Sequence, residues 1–425
     1  MDFLYKEHEM KAGMKTGMKT GMKTGMKIGI LKECKIPQDF RVPFTPNQMV
    51  EIQEKFNVKC VVQSSDIRCF KDSEYTDLSI ALQEDLSDCD IIFGVKEVPV
   101  ENLITGKTYV FFSHVIKEQE HNVKLMHALI EKNITMIDYE TLLGPSGQRL
   151  TAFGREAGIV GAYNALRAYG LKFKTYTLPL AQDNKNLVEL YDRVSKIPTP
   201  AIKIFSTGRC GRVSCGVVSV LEKAGFKSVS ADTYLNTTDT GVFVALSSCQ
   251  YIKRADGSAM VKTEFFADPT GFVSNFMPYA KVSDIYVSGH FWDRRSTSFF
   301  EMSDIADKKN FPIEVLSDVS CDLPGPIPTT LRETTMDDTT YDIDRSTGKE
   351  CPEFSNPNNL TVTAVDNLPS SIPREASFAF GGSLIAEFLP YYLGDDDGRI
   401  EKATICSHGT LKPTFTYLRS YAGLN

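Results

Sequence analysis

The chain has 425 residues, 42% hydrophobic and 24% charged, which is ordinary for a soluble globular protein and enough for two or three domains with real cores. A net charge of −7 argues against nucleic acid as the main partner, although a pocket can still be locally basic. No apolar run approaches the roughly 20 residues of a membrane helix, and the ten cysteines form no CxxC pair and no zinc-spaced cluster, so they read as reduced thiols of a cytoplasmic protein that binds no metal.

Residues 1–26 stand apart. GMKTGMKTGMKTGMK repeats every four residues, carries no apolar stripe, and predicts a disordered tail. The segment has neither Arg nor Ser, which disfavours a transit peptide. KIGIL then reads as a strand, and Pro46 to Phe56 as a helix with Thr45 as its N-cap. VKCVV, DIIFGV, TYVFFS and ITMIDY are short strands rich in β-branched or aromatic residues, with a helical stretch at NVKLMHALIEK. Such alternation predicts a largely parallel sheet with helices on its faces. GREAGIVGAYNALRAYGL predicts a long helix with small residues on one side, suited to connect two domains. AIKIFS, a glycine turn and a helix to Ala224 follow, with strands at KSVSA, SDIYVSGHF and PIEVLSDVS, so a second βαβ domain is expected. Pro324 to Asn359, rich in Thr, Asp, Pro and Asn, predicts a long loop. LTVTAVDNL is one more strand, and Pro373 opens a helix with Arg374 and Glu375 in its first turn. The expected division is 27–155 with 356–425 as one discontinuous domain and 156–355 as the other.

Four features can carry chemistry. In GRCGRVSCG, Gly208 follows the strand directly, then Arg209, Cys210, Gly211, Arg212 and Val213, with Ser214 and Gly216 beyond. Glycines let backbone approach a diphosphate, and a helix N-terminus favours negative charge there. Taken alone the turn fits a dinucleotide loop or a plain βα connection. Asp232 is the nearby acid that can bind an adenosine ribose, or it caps the next helix. Second, Lys96 and His114 each stand just past an apolar strand run, where open α/β sheets bind ligands. Side by side, an amine and an imidazole disfavour each other's charge and titrate near neutrality, as proton transfer requires; a surface lysine beside a half-buried histidine is the plainer alternative. Third, Arg41 precedes two stiffening prolines and suits a bidentate carboxylate clamp, to which Lys117 and Arg149 can add charge with Glu97 and Glu140 available as partners; taken singly, each reads as a solvated surface charge. Fourth, SDVSCDLPGP puts Asp318 and Asp322 at a strand end, as cofactor-side carboxylates or as turn residues.

Several stretches together resemble one family. KIGILKECKIPQDFRVPFTP, GVKEVP, GKTYVFFSHVIKEQ, IDYETL, GQRLTAFGREAG and GRCGRVSCG are similar, in order, to the alanine dehydrogenase/saccharopine dehydrogenase superfamily, and AVDNLPSSIPREAS to the C-terminal signature of its lysine-forming saccharopine and lysine–ketoglutarate reductase branch. The resemblance implies an α/β protein of two Rossmann-like domains with parallel sheets and an interdomain cleft. It implies Lys96 and His114 as the acid/base pair and Arg41 as the substrate-carboxylate arginine. Lys117, Glu140 and Arg149 become polar substrate-binding positions, and Asp322, less so Asp318, lies near the nicotinamide. The implied cofactor is NAD, with NADP open because Ser214 replaces a glycine and the ribose acid is ambiguous. The implied reaction is reversible NAD(P)-dependent oxidative cleavage of saccharopine to L-lysine and 2-oxoglutarate. An alanine-dehydrogenase-like enzyme for a small 2-oxo acid, and a catalytically inactive binding subunit, are the competing readings.

Overall fold

A computed structural model describes residues 25–290 and 292–424 of the chain. The expectation of a disordered tail over residues 1–26 falls almost wholly outside the described residues. The chain divides into two compact units, residues up to Ala152 with Ser377 onward, and Phe153–Ala376.

In the first unit, β1 (Lys27–Ile30) leads to α1 (Pro46–Phe56) and β2 (Lys59–Val62). Thr45 caps α1 as expected. Its hydroxyl accepts from the Gln48 amide at 3.3 Å, while the Gln48 side chain accepts from the Thr45 amide at 3.0 Å, closing a capping box. Next come β3 (Ala81–Leu82), β4 (Ile91–Phe93), β5 (Thr108–Phe111), α2 (Val123–Glu131) and β6 (Thr135–Asp138). β1, β4, β5 and β6 pair in parallel and are almost wholly buried, which is why they read as continuous apolar runs. The β4–β5 ladder continues past both strands, with the Phe112 amide donating to the Val95 carbonyl at 3.0 Å. That extension sets Lys96 and His114 just beyond neighbouring strand ends.

The second unit opens with α3 (Gly154–Phe173), which belongs to this unit and packs on α4 (Arg212–Lys223). The small residues seen in the sequence explain the packing. A Cβ on Gly158 would stand 1.9 Å from the Val213 carbonyl oxygen, and one on Gly216 would stand 2.1 Å from that of Arg155, so only glycine lets the two helices approach this closely. The sheet comprises β7 (Lys203–Thr207), β8 (Lys227–Ser228), β9 (Val242–Leu246), β12 (Ile285–Val287), β13 (Val315–Ser317), β14 (Tyr341–Asp344), β15 (Lys349–Cys351) and β16 (Leu360–Thr363), while β10 (Ile252–Arg254) and β11 (Phe272–Ser274) form a separate antiparallel pair. Its order is β15-β14-β16-β13-β12-β7-β9-β8.

Two expectations change here. The stretch 324–359 is not one long loop, since β14 and β15 form an antiparallel hairpin at the sheet edge. Its strand character is masked by Asp342, a buried carboxylate that accepts from the Thr361 hydroxyl at 2.8 Å on the neighbouring strand. The return to the first unit also falls at Ser377 rather than near residue 356, because β16 pairs with β13 and β14 and holds its surroundings in the second unit.

α5 (Pro373–Glu387) carries the chain back. β17 (Thr404–Ser407) then pairs antiparallel with β6, and β18 (Thr410–Leu411) with β17, completing the first sheet as β18-β17-β6-β5-β4-β1-β2-β3. Both units are therefore mostly parallel eight-stranded sheets with helices, each finished by antiparallel edge strands. No helix among the described residues is long and apolar enough to cross a membrane.

Candidate active site

The first unit gathers a charged cluster beyond β1, β4 and β5. Glu33 follows β1 and is buried, its two carboxylate oxygens accepting from the amides of Val95 at 2.6 Å and Lys96 at 2.9 Å. Burial, reinforced by nearby Asp39, pushes its carboxyl up to about 8, so it is protonated at neutral pH. Those two bonds fix the backbone that presents Lys96. The Lys96 amine is pulled down to about 8, first by burial and then by the positive charges of Arg41 and Lys35. This corrects the sequence argument: the lysine does approach neutrality, but His114 is not among the leading causes.

His114 is tied instead to Glu97. Its Nδ1 makes a short hydrogen bond to Glu97 Oε1, and Lys35 Nζ lies 3.5 Å from the other carboxylate oxygen. Burial works against the Glu97 carboxylate, but the His114 hydrogen bond and charge, with Lys35, outweigh it and hold the carboxyl down at about 2. An ionised Glu97 accepts from Nδ1–H, which leaves Nε2 as the ring nitrogen not engaged by that carboxylate. The ring stacks on Phe112 with centroids 6.2 Å apart, and the residue sits in the left-handed region at φ 53°, a backbone cost met by this surrounding structure. Lys96, His114, Arg41 and the partner Glu97 thus belong to one cluster.

Arg41 is more deeply placed than a clamp at the surface. It is 2% exposed and forks onto Asp39 of its own loop through Nε at 2.9 Å and Nη2 at 2.5 Å. Lys117 and Arg149 are exposed, and they converge on the buried Glu140, whose Oε1 lies 3.3 Å from Lys117 Nζ and 3.2 Å from Arg149 Nη2. Glu140 is held by Asp138, which accepts its amide at 2.7 Å; burial raises the Asp138 carboxyl to about 6. Of the two expected acids, Glu140 takes Lys117 and Arg149, whereas Glu97 pairs with His114 and Lys35, and Arg41 pairs with Asp39, an acid the sequence reading had not named.

In the second unit the glycine turn is built as a dinucleotide loop requires. Gly208 has φ +85°, and a Cβ there would stand 1.8 Å from the Gly289 carbonyl oxygen, so no other residue fits. Cys210 also takes a left-handed conformation, and the Gly211 amide closes on the Gly208 carbonyl at 2.9 Å. Gly211 is the N-cap of α4 and brings no side chain to the first-turn amides, which a diphosphate can therefore reach. Arg209, Cys210, Gly211 and Arg212 are exposed around this turn, and Val213 is half-buried against α3. The residues present fit a dinucleotide diphosphate.

The other cofactor-side positions divide. Asp232 is exposed in the first turn of the helix Ala231–Asn236, whose cap is Ser230, the hydroxyl that accepts the Thr233 amide at 3.1 Å. Asp318 is buried and structural, accepting from the hydroxyls of Ser288 at 2.9 Å, Ser320 at 2.7 Å and Thr330 at 2.7 Å. Asp322 is exposed on the loop that follows. Sequence reasoning missed Glu33, Lys35, Asp39 and His290. The density of charge in ECKIPQDFR was the available signal for the first three. His290 is the penultimate residue of SDIYVSGHF, just past a strand run, so the same strand-end rule that picked out His114 would have found it.

Residues 29–160 match the family model "Alanine dehydrogenase/PNT, N-terminal domain". In fold, the chain is similar to L-alanine dehydrogenase, with a TM-score of 0.62 at 16% identity over 93% of this chain and 99% of that one. It is also similar to a transhydrogenase from Sinorhizobium meliloti, with a TM-score of 0.54 at 15% identity over 92% and 100%. The resemblance seen in the sequence holds: the chain is similar to members of the alanine dehydrogenase/saccharopine dehydrogenase superfamily over most of its length. Within it, the chain is 26% identical over 431 residues to the rat mitochondrial alpha-aminoadipic semialdehyde synthase, covering 89% of this chain and 46% of that protein, so it spans about half the length of this relative. It is 25% identical over 377 residues to the Yarrowia lipolytica saccharopine dehydrogenase [NAD(+), L-lysine-forming], covering 83% of this chain and 89% of that enzyme.

Proposed function

We propose that this protein is an NAD(P)-dependent amino acid dehydrogenase that cleaves saccharopine reversibly to L-lysine and 2-oxoglutarate. The observation that carries the reading is the first-unit cluster: an amine brought to about 8 by burial and by Arg41 and Lys35, in one charged network with an imidazole–carboxylate pair. The glycine turn of the second unit supports the cofactor half, and the saccharopine dehydrogenase relatives support the substrate.

The chemistry matches these groups. Saccharopine is a secondary amine joining lysine to a glutarate skeleton. A bound oxidised nicotinamide supplies the hydride acceptor. The substrate amine must be deprotonated before oxidation to the imine, water must lose a proton as it adds, and the carbinolamine must exchange protons as it collapses to lysine and 2-oxoglutarate. Lys96 and His114 are the groups in the cluster suited to move those protons, because one titrates near 8 and the other is an imidazole held through Nδ1 by Glu97. Lys117 and Arg149 present two exposed cations over Glu140, and a substrate with three carboxylates would bind there by charge.

The test is a panel followed by nicotinamide absorbance: lysine with 2-oxoglutarate against pyruvate with ammonia, each with NADH and NADPH. Turnover of lysine with 2-oxoglutarate is the expected result. Turnover of pyruvate with ammonia alone would place the protein with the alanine dehydrogenases, and no binding of either dinucleotide would make it a non-catalytic relative.

A further inference from the structure

The strand order of the second sheet changes direction at β7, with β9 and β8 on one side and β12, β13 and β16 on the other. Open parallel sheets bind ligands at the carboxyl ends of strands at such a point. There β7 delivers the glycine turn and β12 delivers Ser288, Gly289 and His290. The two strand ends are latched together. The Gly289 amide donates to Thr207 Oγ1 at 3.3 Å, and His290 Nδ1 lies 3.1 Å from the same hydroxyl and 3.3 Å from that of Tyr286.

The other ring nitrogen is unanswered. His290 Nε2 is buried and has no hydrogen-bond partner among the described residues. Trp292 Nε1 and Ser296 Oγ, on the same loop, share that condition. Buried polar atoms are nearly always paired, so three orphans on one loop at a switch point indicate a missing polar neighbour. Burial holds the His290 ring down at about 4 although Asp318 favours its charge, so the imidazole is neutral. Where one of these hydroxyls donates to Nδ1, the ring proton stands on Nε2, a donor with no acceptor among the described residues.

We propose that His290 is a positioning residue for the nicotinamide half of the dinucleotide, its Nε2 hydrogen-bonding that half's ribose or carboxamide. This rests on the dinucleotide reading above. The glycine turn takes the diphosphate at the middle of the cofactor. The adenosine half runs toward the β9 side, where a ribose-binding acid belongs, and the remaining half comes to β12.

Two substitutions separate the ring nitrogens. His290→Asn keeps a polar atom near Thr207 and removes the one in the place of Nε2, whereas His290→Gln keeps the latter. Both variants and the wild type are titrated with NADH or NADPH, whichever the wild type binds, and with the matching ADP-ribose, which lacks the nicotinamide. In His290→Asn the reduced dinucleotide should bind about tenfold more weakly while ADP-ribose changes less than about twofold, and His290→Gln should recover most of the loss. Unchanged dinucleotide affinity in His290→Asn overturns the proposal, pointing to an ordinary buried water at Nε2. Equal weakening of both ligands also overturns it, pointing to a purely structural histidine. A wild type that binds neither ligand overturns the cofactor reading itself, and the proposal with it.

Discussion

The two units build their candidate sites by opposite means. The first concentrates charge: Glu33, Lys35, Asp39, Arg41, Lys96, Glu97 and His114 share a partly buried site in which burial and neighbouring charge raise the Glu33 carboxyl, lower the Lys96 amine and lower the Glu97 carboxyl. The second removes side chains: Gly208 and Gly211 expose backbone at a helix start, and Gly158 and Gly216 let α3 seat that helix closely. The difference follows from the ligands. Proton transfer near neutrality needs groups that titrate there, and burial with neighbouring charge brings a lysine into that range. A diphosphate already carries its charge and needs close backbone donors, which any side chain would obstruct.

Substitutions at each site can break or sharpen this contrast. The largest effect is expected at Lys96, where Lys96→Met should lower turnover about 10²–10⁴-fold with little change in stability, and His114→Ala similarly. The wild-type pH profile adds the sign. Saccharopine oxidation needs the free amine, so kcat/KM in that direction should rise through about pH 8, and the step should vanish in Lys96→Met. Equal kinetics in both variants and the wild type would remove the proton-transfer role of the cluster. Arg41→Ala comes next. It leaves Asp39 buried without its fork, for which about 3–5 kcal/mol of lost stability is expected by denaturant titration. An unchanged denaturation midpoint with a raised KM would instead make Arg41 the carboxylate clamp the sequence suggested. Gly208→Ala should cost about 1–3 kcal/mol by overpacking against the Gly289 carbonyl and abolish dinucleotide binding in a fluorescence titration. Retained binding there would show that the second site does not depend on the absence of side chains. Lys117→Ala is the smallest, with less than about 1 kcal/mol in stability, since its pair with Glu140 is half exposed, and a modest rise in KM for the carboxylate substrate.

Much of this was legible before any coordinates. The strands β1, β4, β5 and β7, the capped helix α1 and the long helix α3 all follow from local pattern, because burial on both faces makes parallel strands uniformly apolar and caps have their own chemistry. The hairpin of β14 and β15 was hidden, because Asp342 is tolerated in a strand only when Thr361 comes from elsewhere in the chain to satisfy it. Glu97 was visible as a partner for Arg41, Lys117 or Arg149, but its pairing with His114 and Lys35 was not. Glu33 and Asp39 lie in the charge-dense ECKIPQDFR, but nothing local marks which of its acids will be buried.

By itself the sequence determined which residue types stand at strand ends and where the glycines fall, since both are properties of short segments and their backbone preferences. Tertiary structure alone decided their electrical state. A lysine at about 8, a protonated glutamate and a neutral buried histidine are made by neighbours far apart in the chain and by the loss of water around them, and neither is encoded in any one segment.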